Sequence, residues 1–266
     1  MARIAFSLFL LSMLAGCITP VGSPPSVPAS RSLAGVSPPT PRVGDTAVYV
    51  VRNAYNGEPR GDIQYRVDKV EGDRAIVGVT TTSPYAGLPH TEIDAPFGNW
   101  LRRPLATHNQ PVEYDFTPAF PAYPFPLDAG KSWSTRVNAV NPQANRRNSV
   151  RVDGQVLGYE RITVPAGSFD VVVIRRNVYG GDFEAFLQET HVVETDWYSP
   201  ELGRSVRLET NSSWIDSSRG GGGMLAFSSN QLMRGDWNVY ELVSYDVNGK
   251  RGGPVASVPP PPPPPR

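Results

Sequence analysis

The chain has 266 residues, with 25 lysines and arginines against 25 aspartates and glutamates, so its formal net charge is zero. This balance leaves no basic excess for binding nucleic acid. A single cysteine excludes a disulfide within one chain, so stability must come from an apolar core. The chain is long enough to build one.

The N-terminus has the layout of a secretory signal peptide. One positive charge, Arg3, precedes an apolar run that ends at Leu14, and small residues follow before Cys17. A transmembrane anchor is the first alternative, but the run falls short of the ~20 apolar residues that cross a bilayer. The second alternative is a soluble secreted protein with an incidental cysteine. We predict a signal peptide over residues 1–16, whose removal leaves 24 basic and 25 acidic side chains and a net charge of −1.

Leu14-Ala15-Gly16-Cys17 resembles the lipobox of bacterial lipoproteins. The resemblance implies that Cys17 is diacylated on sulfur, becomes the first residue after cleavage and is then acylated on nitrogen. One acyl chain holds a protein only marginally at a membrane, whereas several hold it almost permanently. Ile18, rather than an aspartate, follows the cysteine, and in a Gram-negative host this implies passage to the outer membrane.

Both ends of the mature chain are rich in proline. Residues 17–41 are predicted to be a lipidated cysteine and an extended, solvated linker, because they offer little to bury. Residues 251–266 contain the uninterrupted run Pro259–Pro265, which predicts a polyproline II tail. This tail is either a spacer or a docking segment. The remaining residues, 42–250, are predicted to form the folded domain.

Strand patterns fill that domain. The first three, at 46–51, 63–70 and 74–82, predict an antiparallel meander. Residues 169–178 form a nearly continuous apolar run, which indicates a strand buried on both faces. Further strands are predicted at 132–137, 148–157, 160–164, 187–198, 204–214 and 238–247. The prediction is a mainly β fold: a single antiparallel domain of about ten strands, forming a curved sheet, an open barrel or a sandwich.

The segment 104–128 differs, because prolines alternate with aromatic residues along it and proline interrupts ladder pairing. We expect a long loop, of the kind that often forms a lid or a binding site. Its aromatic residues are candidate ligand contacts, although they could equally plug one end of a sheet. They are Tyr114, Phe116, Phe120, Tyr123 and Phe125.

Three sequence segments in the domain are similar to segments of periplasmic proteins that contain domains of unknown function. They are Phe125–Trp133, Val164–Asp170 and Trp197–Val206. The resemblance implies a curved antiparallel sheet, and it brings no activity, cofactor or catalytic residue. The composition of each segment also has a physical explanation, because each places proline and glycine in a turn beside an aromatic residue that can cap a core.

Catalytic motifs are scarce. Gly130-Lys131-Ser132 lacks the earlier glycine of a phosphate loop, and no HExxH or Gly-x-Ser-x-Gly occurs. Two pairs could support acid-base hydrolysis, because residues two apart share one face of a strand: Glu189 with His191, and Glu194 with Asp196. The alternative is that they form a solvated face of the sheet.

The sequence therefore favours an envelope lipoprotein without enzymatic activity, cofactor or metal. We expect a binding or scaffold role at the periplasmic face of the outer membrane, with an envelope protein, cell-wall material or an apolar ligand as partner. A carrier that holds lipid in a curved sheet is the first alternative. A hydrolase of cell wall or polysaccharide is the second.

Overall fold

The computed structural model describes residues 22–105, 112–143, 146–180, 187–216 and 231–254. The predicted signal peptide, Cys17 and most of the predicted tail lie outside this part. Within it, every regular element is a strand except one short 3-10 turn, Pro84–Ala86. No helix in these ranges could span a membrane.

The strands are antiparallel and close into a ring. From β2 to β13 each strand pairs with the next along the chain, and β13 pairs back with β2, so the described residues form a twelve-stranded barrel. Two short strands, β1 and β14, add to β9 and β13. The strands are β1 Ser26–Pro28, β2 Thr46–Asn53, β3 Pro59–Glu71, β4 Arg74–Thr81, β5 His90–Asp94, β6 Trp100–Leu105, β7 Val112–Phe120, β8 Ser132–Asn141, β9 Arg146–Val164, β10 Gly167–Gly180, β11 Leu187–Ser199, β12 Arg204–Asp216, β13 Gln231–Val247 and β14 Lys250–Gly252.

The predicted mainly β fold is confirmed, and so is the meander of its first three strands. Strand β2 buries alternate residues, as a strand with one face on a core must. Strand β10 is packed on both faces, as its apolar run predicted. Val172 and Ile174 belong to one core cluster, whereas Val171 and Val173 belong to another.

Successive connections alternate between the two ends of the barrel. We call one end the base; it carries the turns at 72–73, 95–99, 121–131, 165–166 and 200–203. We call the other end the mouth; it carries the connections at 54–58 and 82–89. The three sequence segments that resemble other envelope proteins all contain turns at the base. Their explanation as turn-forming segments therefore agrees with where the structure places them.

The expected long loop over 104–128 is wrong, because two strands occupy much of its described part. Strand β6 runs to Leu105 and β7 runs from Val112 to Phe120. The proline in β7 is tolerated because its pairing with β8 ends at Thr117, one residue before Pro118, so no ladder hydrogen bond is lost there. Of the residues that the structure describes here, 121–131 form an irregular connection.

The predicted solvated linker also differs from the structure. Residues 22–41, which we call the strap, run along the barrel wall and base. Strand β1 pairs with β9 at Glu160–Ile162, beyond Gln155 where β9 stops pairing with β8, so the strap fills a free edge. Leu33 is buried in the core, and Gly35 N donates to Asp128 Oδ1 at 2.8 Å. An extended, proline-rich segment lacks internal hydrogen bonds, and this leaves its backbone available to an edge strand.

Candidate ligand-binding lumen

The barrel encloses a cavity of about 970 Å³ on the side of the mouth, which we call the upper cavity. Its lining comes from strands on opposite sides of the ring, so it is the lumen of the barrel. This volume lies at the upper end of the range for ligand pockets, about 300–1,000 Å³. The side chains that the site depends on are Tyr65, His90, Glu92, Trp100, Arg103, Glu194, Leu208, Thr210, Asn238 and Tyr240, with Glu58, Arg60, Tyr85, Glu113 and Asp236 toward the mouth.

A layer of charged and aromatic side chains forms the floor of the upper cavity. Arg103 stacks over Trp100, 3.9 Å from the ring centroid, and its Nε lies 3.4 Å from Glu92 Oε1. His90 Nε2 lies 3.3 Å from the same carboxylate oxygen. Burial alone would raise the pKa of Glu92, but Arg103 and His90 hold it below its ordinary value. Glu92 therefore stays ionised in the lumen.

Below that floor lies a smaller cavity of about 140 Å³, closed at the base by Pro39 and Pro41 of the strap. Asp94 lines it, and Asp94 Oδ1 is buried without a hydrogen-bond partner in the described part of the chain. Burial, followed by the charge of Glu92, raises the pKa of Asp94 to about 7. Arg204 also lines this lower cavity, and its Nε donates to Tyr49 Oη at 2.9 Å. Glu92, Trp100 and Arg103 of the floor line both cavities.

A buried ion cluster supports the wall beside the upper cavity. Arg176 has no exposed surface; its Nε donates to Glu194 Oε2 at 2.7 Å and its Nη2 to Asp196 Oδ2 at 2.9 Å. Its Nη1 donates to the carbonyl of Ala122 at 3.1 Å. Asp196 also accepts hydrogen bonds from Tyr123 Oη, at 2.7 Å, and from Ser205 Oγ. Both oxygens of Asp196 are thus occupied by protein donors.

The sheet separates the pair Glu194 and Asp196 from His191. Glu194 and Asp196 share one face of β11, as predicted, but they are buried there, so the alternative of a solvated face is wrong for this pair, and Arg176 holds both. His191 belongs to the alternate set of residues on β11, where it stacks on Tyr179 with ring centroids 4.6 Å apart. The side chain of Glu189 lies outside the described part of the chain. The pair Glu194 and Asp196 therefore presents a salt-bridged cluster, whereas an acid-base pair needs one carboxylate open to water or substrate.

The aromatic ligand candidates lie mainly in the core. Tyr114, Phe116 and Phe120 are buried in the cluster that also contains Trp100. Tyr123 packs on Tyr198 with ring centroids 4.7 Å apart and lines the lower cavity. Phe125 is half-buried against the same cluster. None of the five is among the described residues that line the upper cavity, so their role in ligand binding stays a prediction.

Comparison with known proteins gives likeness of fold only. No family model matches the chain, and no curated protein does. Among solved structures, a protein from Parabacteroides distasonis that is provisionally assigned as a lipoprotein has 16% identity and a TM-score of 0.46, with 80% of this chain and 98% of that chain covered. A protein from Bacteroides fragilis with a YmcC-like fold, provisionally assigned as exported, has 14% identity and a TM-score of 0.42, with 79% of this chain and 97% of that chain covered. The hypothetical lipoprotein YmcC from Escherichia coli has 12% identity and a TM-score of 0.36, with 74% and 83% covered. TM-scores below 0.5 at such identities give no information about function.

Proposed function

We propose that this protein is a lipoprotein of the bacterial envelope, without enzymatic activity, that binds a small polar ligand in the lumen of its barrel. The upper cavity is the observation on which the proposal rests. A barrel whose interior were filled with side chains would suit a scaffold, whereas a lumen of about 970 Å³ provides space for a ligand. The barrel is lipid-anchored at the periplasmic face of the outer membrane.

The sequence supports the anchor, and the strap limits the distance between the anchor and the barrel. The apolar run ends in Leu14-Ala15-Gly16-Cys17, and the structure is described from Gly22 onward, where Gly22 O accepts a hydrogen bond from Arg207 Nη2 at 3.0 Å. The connection from Cys17 to Gly22 spans at most about 18 Å, at about 3.6 Å per residue. A docked strap therefore keeps the barrel within a short distance of the bilayer, rather than on a long linker.

A polar ligand fits the lumen better than an apolar one. The walls of the upper cavity include carboxylates, guanidinium groups and hydroxyls, and burying these against a hydrocarbon chain would cost free energy without restoring their hydrogen bonds. This lining disfavours the alternative of a lipid carrier. The ion cluster disfavours the alternative of a hydrolase, because Arg176 engages both Glu194 and Asp196 and protein donors occupy both oxygens of Asp196.

Native mass spectrometry of the lipidated protein, extracted from its host membranes in mild detergent, tests ligand binding. We expect a non-covalent small-molecule adduct on the wild-type protein. Thr210→Trp should remove that adduct, because Thr210 lines the upper cavity beside Glu194 and an indole would fill the space. An outward-facing control, Asn211→Trp, should retain it. Absence of an adduct from the wild-type protein, or an equal adduct on both variants, would refute lumen binding.

A further inference from the structure

We infer that one outer wall of the barrel rests on the surface of a bilayer that contains anionic phospholipid. This inference goes beyond ligand binding in the lumen, and it rests on the lipid anchor of the proposed function. Three observations concern the same wall: a group of unneutralised arginines, the place where the strap meets the barrel, and two exposed apolar side chains.

Arginines are concentrated on the outward face of residues 132–141, 147–155 and 174–180 in β8, β9 and β10, which we call the basic wall. Successive residues of a strand alternate between the lumen and the outside, and the register puts Arg136, Arg147, Arg151 and Arg175 on the outward face. One carboxylate, Asp153, shares that face. Four positive charges against one negative give the basic wall a net charge of +3, in a chain whose formal net charge is zero.

Most of this charge is unpaired. Arg136, Arg147 and Arg175 are exposed, and none of them makes a hydrogen bond or ion pair with another described residue. Asp153 lies 3.2 Å from the Nε of Arg151. The register also sets Arg136 directly opposite Arg151, and like charges that face each other across neighbouring strands destabilise a sheet. Folding gives no reason for this arrangement, whereas binding to an anionic surface does.

The strands on either side do not continue the excess. On β6 and β7, Arg102 donates to both oxygens of Asp115, at 2.6 and 3.0 Å. On β12 and β13, Arg207 lies against Glu209 and Glu241. A localised positive patch on an otherwise balanced surface attracts anions to that wall in particular.

The strap brings the anchor to the same side of the barrel. Gly22 O accepts a hydrogen bond from Arg207 Nη2 at 3.0 Å. The register places Arg207 two strands from β10, level with Val173 and two residues from the level of Arg175. Neighbouring strands are about 4.8 Å apart, so the backbones of Arg207 and Arg175 lie about 12 Å from each other. Because Cys17 is at most about 18 Å from Gly22, its acyl chains would enter a bilayer beside the basic wall.

Two exposed apolar side chains border the basic wall. Leu157, 51% exposed, is the extra residue of a bulge in β9, two residues beyond Gln155. Val27, 59% exposed, lies on β1 opposite Arg161 of β9. Apolar side chains beside basic ones are typical of surfaces that lie in a membrane interface, where the first enter the acyl boundary and the second meet anionic headgroups. This combination favours a bilayer over an acidic protein, which would need the charges alone.

Co-sedimentation of the mature, unlipidated chain, with Cys17→Ser, tests the basic wall without the anchor. At low ionic strength, where charges are little screened, we expect binding to vesicles of phosphatidylglycerol and phosphatidylcholine and none to vesicles of phosphatidylcholine alone. Adding Arg136→Gln/Arg175→Gln should weaken partitioning about 25-fold, because each basic residue near an anionic surface contributes about fivefold. Both side chains are exposed, so the melting temperature should not change.

The matched control is Arg66→Gln/Arg74→Gln, which removes two exposed arginines from β3 and β4 on the far side of the ring. It should leave partitioning unchanged. Equal weakening by both pairs would reduce the effect to overall charge and overturn the inference. If the unlipidated chain does not bind the anionic vesicles while the wild-type protein still fractionates with membranes, the basic wall does not bind lipid and the anchor stands.

A second measurement gives the orientation of the lipidated protein in the same anionic vesicles. Cys17 is acylated there, so a fluorophore attached through Ser149→Cys labels the basic wall, and one attached through Thr80→Cys labels the far side. Phospholipid with a nitroxide on its headgroup should quench the first fluorophore and leave the second unquenched. Equal quenching of the two would contradict a bilayer against the basic wall.

Discussion

Replacing Arg176 with methionine should lower the free energy of unfolding by about 4 kcal/mol, because it leaves two buried carboxylates without their cation. Glu194 and Asp196 are both buried, and Arg176 donates to each of them. Methionine fills most of the volume, so the loss reports the unpaired charge rather than a cavity. Urea denaturation followed by tryptophan fluorescence measures the difference.

Arg161→Met is the matched control for that measurement. Arg161 also pairs with a carboxylate, Asp170, at 3.2 Å, but its side chain is 41% exposed. An exposed pair contributes about 0–1 kcal/mol, so the control should stay close to the wild-type value. The triple variant Arg176→Met/Glu194→Gln/Asp196→Asn should regain part of the lost stability. If Arg176→Met lowers the free energy of unfolding no more than Arg161→Met does, the ion cluster does not stabilise the wall of the lumen.

The position of Arg176 also shows where sequence reasoning ends. The pattern of residues 169–178 predicts a strand packed on both faces, and the structure confirms it, because a continuous run of β-branched residues is a local property of the sequence. Arg175 and Arg176 are adjacent in that strand, and only the register with β11 decides which points inward. That register pairs Arg176 with Glu194, eighteen residues away. Sequence composition assigns charged residues to a solvated face, so it does not predict that these residues lie inside the barrel.

Closure of the barrel and docking of the strap were beyond prediction for a related reason. The pairing of β13 with β2 joins residues nearly two hundred positions apart, and no local pattern encodes it. The strap has the composition of a solvated linker, and its order depends on a free edge of β9 that exists only in the folded barrel. The local sequence pattern also makes aromatic residues conspicuous without showing where they lie. Tyr114, Phe116 and Phe120 lie in the core, whereas the residues that line the upper cavity are scattered over many strands.

Cys17→Ser should release the protein from membranes, because it removes the atom that would carry the acyl chains. In fractionated cells, with membranes washed in alkaline carbonate, we expect the wild-type protein in the outer-membrane fraction and the variant in the soluble fraction. Ile18→Asp is the informative control: it keeps the cysteine and should move the protein to the inner membrane. A Cys17→Ser protein that remains with washed membranes would contradict the lipid anchor.

Ligand binding in the upper cavity requires an open, water-accessible lumen, and thiol labelling measures this accessibility directly. Cys17 is the single cysteine of the chain, so the Cys17→Ser variant provides a background without thiols. In that background, Thr210→Cys places one thiol in the upper cavity, and Val152→Cys places one in the fully buried core. A small charged thiosulfonate reagent should modify Thr210→Cys at least about a hundredfold faster than Val152→Cys, since thiolate chemistry requires solvent access. Equal protection of the two thiols would show that the lumen is closed and would contradict ligand binding within it.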